Sequence, residues 1–87
     1  MTSHDRQETK PTWFKRTIIR PATQFEHDAV THVQRVLRCP ETGEMDEGTI
    51  SHIRGLQQLF NIPMTGVIDE ATAHQIERLR SYGSVYP

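Results

Sequence analysis

Two carboxylates, those of Asp46 and Asp69, are the first groups in this chain whose type and spacing could do chemistry. They hold the same place in two similar segments, residues 42–49 and 65–72, which lie 23 residues apart. A pair of carboxylates can act as general acid and general base where the fold brings them together. The same residues also suit helix N-caps, where a carboxylate accepts from the free N–H groups of the first turn. The N-cap role explains both, so we expect no catalytic residue and no enzyme.

Histidine and cysteine are the remaining residues that could supply chemistry, here as metal ligands. His27 and His32 are five residues apart, so they do not share a helix face cleanly. Cys39 is the only cysteine, which excludes an internal disulfide and a cysteine pair on a metal. We therefore expect a buried or half-buried thiol, solvent-exposed histidines, no metal and no cofactor. The five histidines are His4, His27, His32, His52 and His74.

The two similar segments belong to a longer internal repeat. The same offset of 23 residues pairs Gln34 with Gln57 and Pro40 with Pro63. Glycine follows threonine in each segment, which is typical of a turn that needs a positive φ. Because stacked repeats usually need about three copies or more for stability, two copies favour a closed bundle over an open solenoid.

Three amphipathic helices account for most of the chain. We predict the first at about 24–38, the second from after Asp46 to before Asn61, and the third from after Asp69 until it frays near 81–83. Gly55 inside the second helix suggests a close helix contact. The apolar residues at helical spacing are Phe25, Ala29, Val30, Val33, Val36 and Leu37, then Ile50, Ile53, Leu56, Leu59 and Phe60, then Ala73, Ile76 and Leu79. The predicted fold class is all-α, a compact three-helix bundle.

The predicted domain organisation has an extended basic and aromatic arm at 1–22, the bundle at 23–82 and a short tail at 83–87. The arm has a net charge of +3 and residues 23–87 have a net charge of −4. Three alternatives stay open for its apolar part: it folds back over the bundle, it docks into another subunit, or it binds nucleic acid. The nucleic-acid alternative is disfavoured, because affinity scales with the number of cations and the arm has five. The candidate partner-docking residues are Trp13, Phe14, Lys15, Arg16, Ile18, Ile19 and Arg20.

The N-terminal residues are polar and contain no apolar run, from which we expect no secretory signal and synthesis in the cytoplasm. No stretch approaches the roughly 18 apolar residues of a membrane span, so we expect no membrane partner.

Residues 29–80 resemble the small peptidoglycan-binding domain, a three-helix type found beside bacterial and phage cell-wall hydrolases. The resemblance is carried by residues that match the family pattern in order: Val33-Gln34, Gly43, Thr49, Leu56-Gln57, Asn61-Ile62-Pro63, Gly66-Val67 and Thr72. The family has Asp before each loop glycine, where this chain has Thr42 and Thr65. The resemblance implies that the matched glycines and glutamines are structural, with each glutamine bridging its loop to a helix.

Two functions follow as expectations. The resemblance implies a non-catalytic module that binds peptidoglycan of the cell wall. A component of a bacteriophage particle would reach the wall without a secretory signal peptide. The alternative is a structural protein of a phage particle or other complex, with the bundle reused for protein–protein contacts and docked by the arm. In the first case, the ligand-binding residues would be those of the loops and first turns, namely Thr42, Asp46, Thr65, Asp69 and Thr72.

Overall fold

The computed structural model describes residues 10–82, which form three α-helices that each pack against the other two. Helix α1 spans Gln24–Leu37, α2 spans Glu47–Leu59 and α3 spans Glu70–Tyr82. The predicted all-α three-helix bundle is confirmed, and each helix begins at the predicted residue. The first nine residues of the predicted arm and the predicted tail at 83–87 lie outside the described residues.

Helix starts and ends follow local chemistry. Thr23 caps α1, and its hydroxyl accepts from the Glu26 amide at 3.1 Å. The end of α1 has Arg38 in the left-handed region at φ 63°, and Asn61 takes φ 60° after α2. Arg38 and Asn61 are 23 residues apart, so the repeat extends to the backbone conformation of the helix ends.

The core lies between the three helices and is closed on one side by residues that precede α1. Phe14 and Ile18 are buried in the same cluster as Val33, Ile53 and Ile76. Ile18 and Ile68 form an antiparallel bridge, with N–H to carbonyl oxygen distances of 2.9 and 3.1 Å. The described part of the predicted arm therefore folds back over the bundle, as one of the three alternatives had it. Residues 10–22 are called the strap from here on.

Three expectations about the helix faces are wrong. Phe25 is 41% exposed, since it lies at the first turn of α1, about 80° around the axis from Val33. Leu59 is 65% exposed because it lies about 120° from Ile53 on α2. A Cβ on Gly55 would meet nothing within 4 Å, so Gly55 does not mark a close helix contact.

Among the described residues, none of the helices has the length and apolar character needed to cross a membrane.

Candidate functional site: the paired loops and the strap

The two loops, residues 40–46 and 63–69, are built on the same backbone conformation. Gly43 has φ 77° and Gly66 has φ 76°, so both glycines occupy the left-handed region as expected. A Cβ at Gly43 would lie 3.2 Å from the Thr31 hydroxyl, and one at Gly66 would lie 3.1 Å from Nε of Arg54. The positive φ favours glycine at both positions, and an added Cβ would also be in tight contact with a neighbouring side chain.

A buried glutamine side chain organises the first loop. Gln34 Nε2 donates to Oγ1 of Thr42 at 3.0 Å, to the Glu44 carbonyl at 3.0 Å and to Oγ1 of Thr49 at 2.8 Å. Its Oε1 accepts from the Gly43 amide at 2.9 Å. The side chain is fully buried, so it replaces water as the partner of the loop's polar groups. The amide orientation is the one that satisfies this network.

Gln57 does the same for the second loop. Its Nε2 donates to Oγ1 of Thr65 at 3.0 Å, to the Val67 carbonyl at 3.2 Å and to Oγ1 of Thr72 at 2.8 Å. Its Oε1 accepts from the Gly66 amide at 3.0 Å. The expectation that each glutamine bridges a loop to a helix is confirmed, and the two networks agree bond for bond.

Asp46 and Asp69 close the two networks as helix N-caps. Oδ1 of Asp46 accepts from the Thr49 amide at 2.9 Å and from its hydroxyl at 2.6 Å. Oδ1 of Asp69 makes the same pair of bonds with Thr72, at 3.1 and 2.5 Å. Oδ2 of each aspartate accepts from the loop threonine, Thr42 at 2.8 Å or Thr65 at 3.0 Å.

Hydrogen bonds from the Thr49 hydroxyl and amide, then from Thr42, hold the pKa of Asp46 below its ordinary value. An ionised acceptor that is already bonded on both oxygens is poorly suited to deliver a proton at neutral pH.

The five candidate ligand residues therefore fall into two separate sets. The structure joins Thr42 to Asp46, and it joins Thr65 to Asp69 and Thr72; within residues 10–82 the two sets share no hydrogen bond. Thr72 is fully buried. The polar atoms of these residues are engaged with the turns and caps, which is the structural role that the sequence also suggested for them.

The candidate docking residues of the strap divide into buried and exposed groups. Phe14 and Ile18 are in the core, and Trp13 packs against it. Ile19 is 68% exposed. Lys15, Arg16 and Arg20 are exposed as well.

Two of the exposed residues, Lys15 and Arg16, border a cavity of about 300 Å³ between the strap and the start of α1. Nζ of Lys15 lies 4.9 Å from the centroid of the Phe25 ring, a cation–π distance. Nε of Arg16 lies 3.7 Å from Glu26, whose other oxygen accepts from the Ala22 amide at 2.7 Å. This surface combines an exposed aromatic ring with cations on one side of the bundle.

A cluster around Glu77 was not foreseen from the sequence. Oε2 of Glu77 accepts from Nε1 of Trp13 at 2.6 Å and pairs with Nε2 of His32 at 3.0 Å. The rings of Trp13 and His32 are 5.0 Å apart, so His32 is half-buried and not solvent-exposed as expected. Oε1 of Glu77 accepts from Nε of Arg80 at 2.9 Å. The only local signal was the spacing of Glu77 and Arg80, because Trp13 is 64 residues away.

The pKa of Glu77 lies below its ordinary value as the balance of opposing effects. Burial of the carboxyl raises the pKa, and the hydrogen bonds from Trp13, His32 and Arg80 outweigh that effect. The carboxylate therefore stays charged and holds the strap against α1 and α3.

The other histidines within residues 10–82 have local partners, whereas His4 lies outside the described residues. Nδ1 of His27 lies 2.9 Å from the Gly43 carbonyl, so His27 is half-buried against the first loop. Burial raises the pKa of the Cys39 thiol. Residues 10–82 contain no group of three or more His, Cys, Asp or Glu side chains that could hold a metal ion.

Comparison of the chain with family models, with curated proteins and with solved structures found no match.

Proposed function

We propose that this protein is a non-catalytic binding module of the peptidoglycan-binding type, carried in a bacteriophage particle. One observation supports the proposal: the residues on which the resemblance depends form the same hydrogen-bonded loop twice. Gln34, Gly43 and Thr49 occupy one network, and Gln57 and Gly66 occupy corresponding places in the other. A coincidental match in sequence would not require its residues to meet in space in this way.

The test is co-sedimentation of the full chain with purified, protein-free peptidoglycan at low and high salt. Specific binding predicts retention that survives high salt, since contacts made by neutral groups are little screened. The control is the strap variant K15E/R16E, which removes exposed cations and leaves both loop networks unchanged. Equal retention of this variant supports the proposal. Release of the wild type by salt, or loss of retention in the control, would show a merely electrostatic adsorption and would contradict it.

The second candidate is a structural or assembly protein that uses the bundle for protein–protein contacts. The observation that favours it is the strap surface, where Ile19 and three cations are exposed and one of those cations, Lys15, lies over the Phe25 ring. Because Phe14 and Ile18 fill the core, deleting the strap would damage the fold and would not isolate docking.

The appropriate variant is K15E/R16E/I19S, which changes only exposed side chains. The assembly function predicts that this variant is folded by circular dichroism and is missing from purified particles. Its normal recovery in particles would count against docking through the strap. The matched control is R54E/R78E, which makes the same change in charge at exposed positions outside the strap.

A further inference from the structure

The strap carries positive charge alone. Residues 10–22 contain Lys10, Lys15, Arg16 and Arg20, all exposed, and no acidic residue. Of these, Arg16 is the one that pairs with a carboxylate of the described chain, Glu26 at 3.7 Å. The Glu26 carboxylate is also held by the Ala22 amide, so it only partly offsets the strap's charge. Within residues 10–82, the strap therefore presents a basic surface that Glu26 only partly offsets, and Lys15 and Arg16 border the cavity beside the Phe25 ring.

The first loop and the start of α2 carry negative charge alone. Residues 41–47 contain four carboxylates, all on exposed residues, and no cation: Glu41, Glu44, Asp46 and Glu47. Glu41 pairs with Arg35 at 2.9 Å, and Asp46 is committed to its cap. Glu44 lies 3.5 Å from Nδ1 of His27, and its side chain is 60% exposed. Glu44 and Glu47 are the carboxylates of this segment most available to an incoming partner.

These two surfaces contact different residues of α1. The strap contacts α1 at Phe25, Glu26 and His32. The first loop contacts α1 at His27 and Gln34. Within residues 10–82, no hydrogen bond or ion pair joins the strap to residues 41–47 of the same chain.

We propose that the strap is a docking surface for a second copy of this chain, whose residues 41–47 bind against Lys15 and Arg16. Charge complementarity favours a second copy as the partner, because residues 41–47 of the same chain carry the negative charge that complements the basic strap. The contact is heterologous, with a different surface used on each copy, so it leads to rings or open chains of copies and not to a two-fold dimer. This inference rests on the second candidate function and is independent of peptidoglycan binding.

The first measurement is the molar mass of the full chain by light scattering over a wide range of protein concentration. At low salt, where the Debye length is about 30 Å at 10 mM, we expect the mass to rise above the monomer's 10.1 kDa as concentration increases. At about 1 M salt, where the Debye length is about 3 Å, we expect the monomer. A monomer at every concentration at low salt would overturn the inference.

Charge reversal then identifies the surfaces. We expect K15E/R16E and E44K/E47K each to remain monomeric, because residues 15, 16, 44 and 47 then all carry charge of the same sign. An equal mixture of the two should associate again, since the unchanged acidic loop of K15E/R16E can bind the unchanged strap of E44K/E47K, and the two reversed surfaces also complement each other. The control R54E/R78E should associate like the wild type. Association that survives either reversal, or a mixture that stays monomeric, would overturn the proposed contact.

The assembly function and this inference can fail separately. If the wild type stays monomeric while K15E/R16E/I19S is still lost from particles, the strap docks to a different protein and the self-association is refuted. If the chain self-associates as described but the variant enters particles normally, the assembly function fails and the contact between copies stands.

Discussion

The indole Nε1 of Trp13 donates a hydrogen bond of 2.6 Å to the carboxylate of Glu77, joining the strap to the last helix. Trp13 is the only tryptophan in the chain, so its fluorescence reports on this contact directly. The bond makes the strap part of the folded unit, and several consequences for stability can be measured.

Replacing Trp13 with Phe removes the donor while most of the ring packing is kept. A hydrogen bond to a charged group contributes about 1.5–3 kcal/mol, and we expect a loss near the lower end because His32 and Arg80 still bond Glu77. Urea unfolding followed by circular dichroism measures the change. An unchanged midpoint would mean that the strap is not held by this bond in solution.

The cluster also predicts how stability depends on pH. The folded pKa of Glu77 is below its ordinary value, so its contribution is present above the unfolded pKa of about 4.3 and is lost as the pH falls through the folded pKa. Glu77→Gln should therefore be less stable than the wild type at neutral pH, and the difference should shrink in acid. Tryptophan fluorescence during urea unfolding at several pH values tests this. A difference that does not change with pH would contradict the assignment.

Gln34→Ala should be severely destabilising. It removes four hydrogen bonds and leaves the Gly43 amide and the Thr49 hydroxyl without this partner in a buried site. An unsatisfied buried polar group costs about 1–3 kcal/mol, so we expect a loss of at least about 2 kcal/mol in unfolding free energy. Gln58→Ala is the matched control, since Gln58 is exposed on α2 and should change stability by less than about 0.5 kcal/mol. Similar losses for the two variants would refute the role of the network.

The glycines should respond in opposite directions. Gly55→Ala should stabilise the protein by about 1 kcal/mol, because the added methyl group enters open space on a helix. Gly43→Ala should destabilise it by about 1–2 kcal/mol, because φ is 77° and the Thr31 hydroxyl is too close. Thermal unfolding of both variants measures the signs. A lower melting temperature for Gly55→Ala would mean that this helix face is covered in solution.

Phe14→Ala tests whether the strap belongs to the core. Truncation of a buried phenylalanine costs about 3–5 kcal/mol, which is a large part of the stability of a small domain. Ile19→Ala, at an exposed neighbouring position, should stay within about 0.5 kcal/mol of the wild type. If Phe14→Ala were as mild as its control, the strap would be dispensable for the fold.

Local signals in the sequence were sufficient for the helices and for both loops. Asp46 and Asp69 marked the starts of α2 and α3, because an N-cap needs only a side-chain oxygen near the free N–H groups of the first turn of the same segment. Gly43 and Gly66 marked the turns because a positive φ is a property of a single residue. The network around each glutamine could also be predicted from the sequence, since Gln34 and Gly43 are only nine residues apart and the same pair recurs as Gln57 and Gly66.

The positions of particular side chains needed the tertiary structure. Periodicity placed Phe25 and Leu59 on the apolar faces of their helices. How much of each apolar face is buried depends on how closely the other helices approach, and both residues are exposed in the structure. The strap's composition allowed either a free arm or a folded one. Its place was decided by Ile68, fifty residues from Ile18, and by Glu77, since contacts at such separations leave no periodic trace in the sequence. The sequence by itself determined the helices, the turns and the internal repeat, because each depends on neighbouring residues. Only the tertiary structure decided which strap side chains are exposed to a partner, because the exposed set depends on which of them are buried in the core.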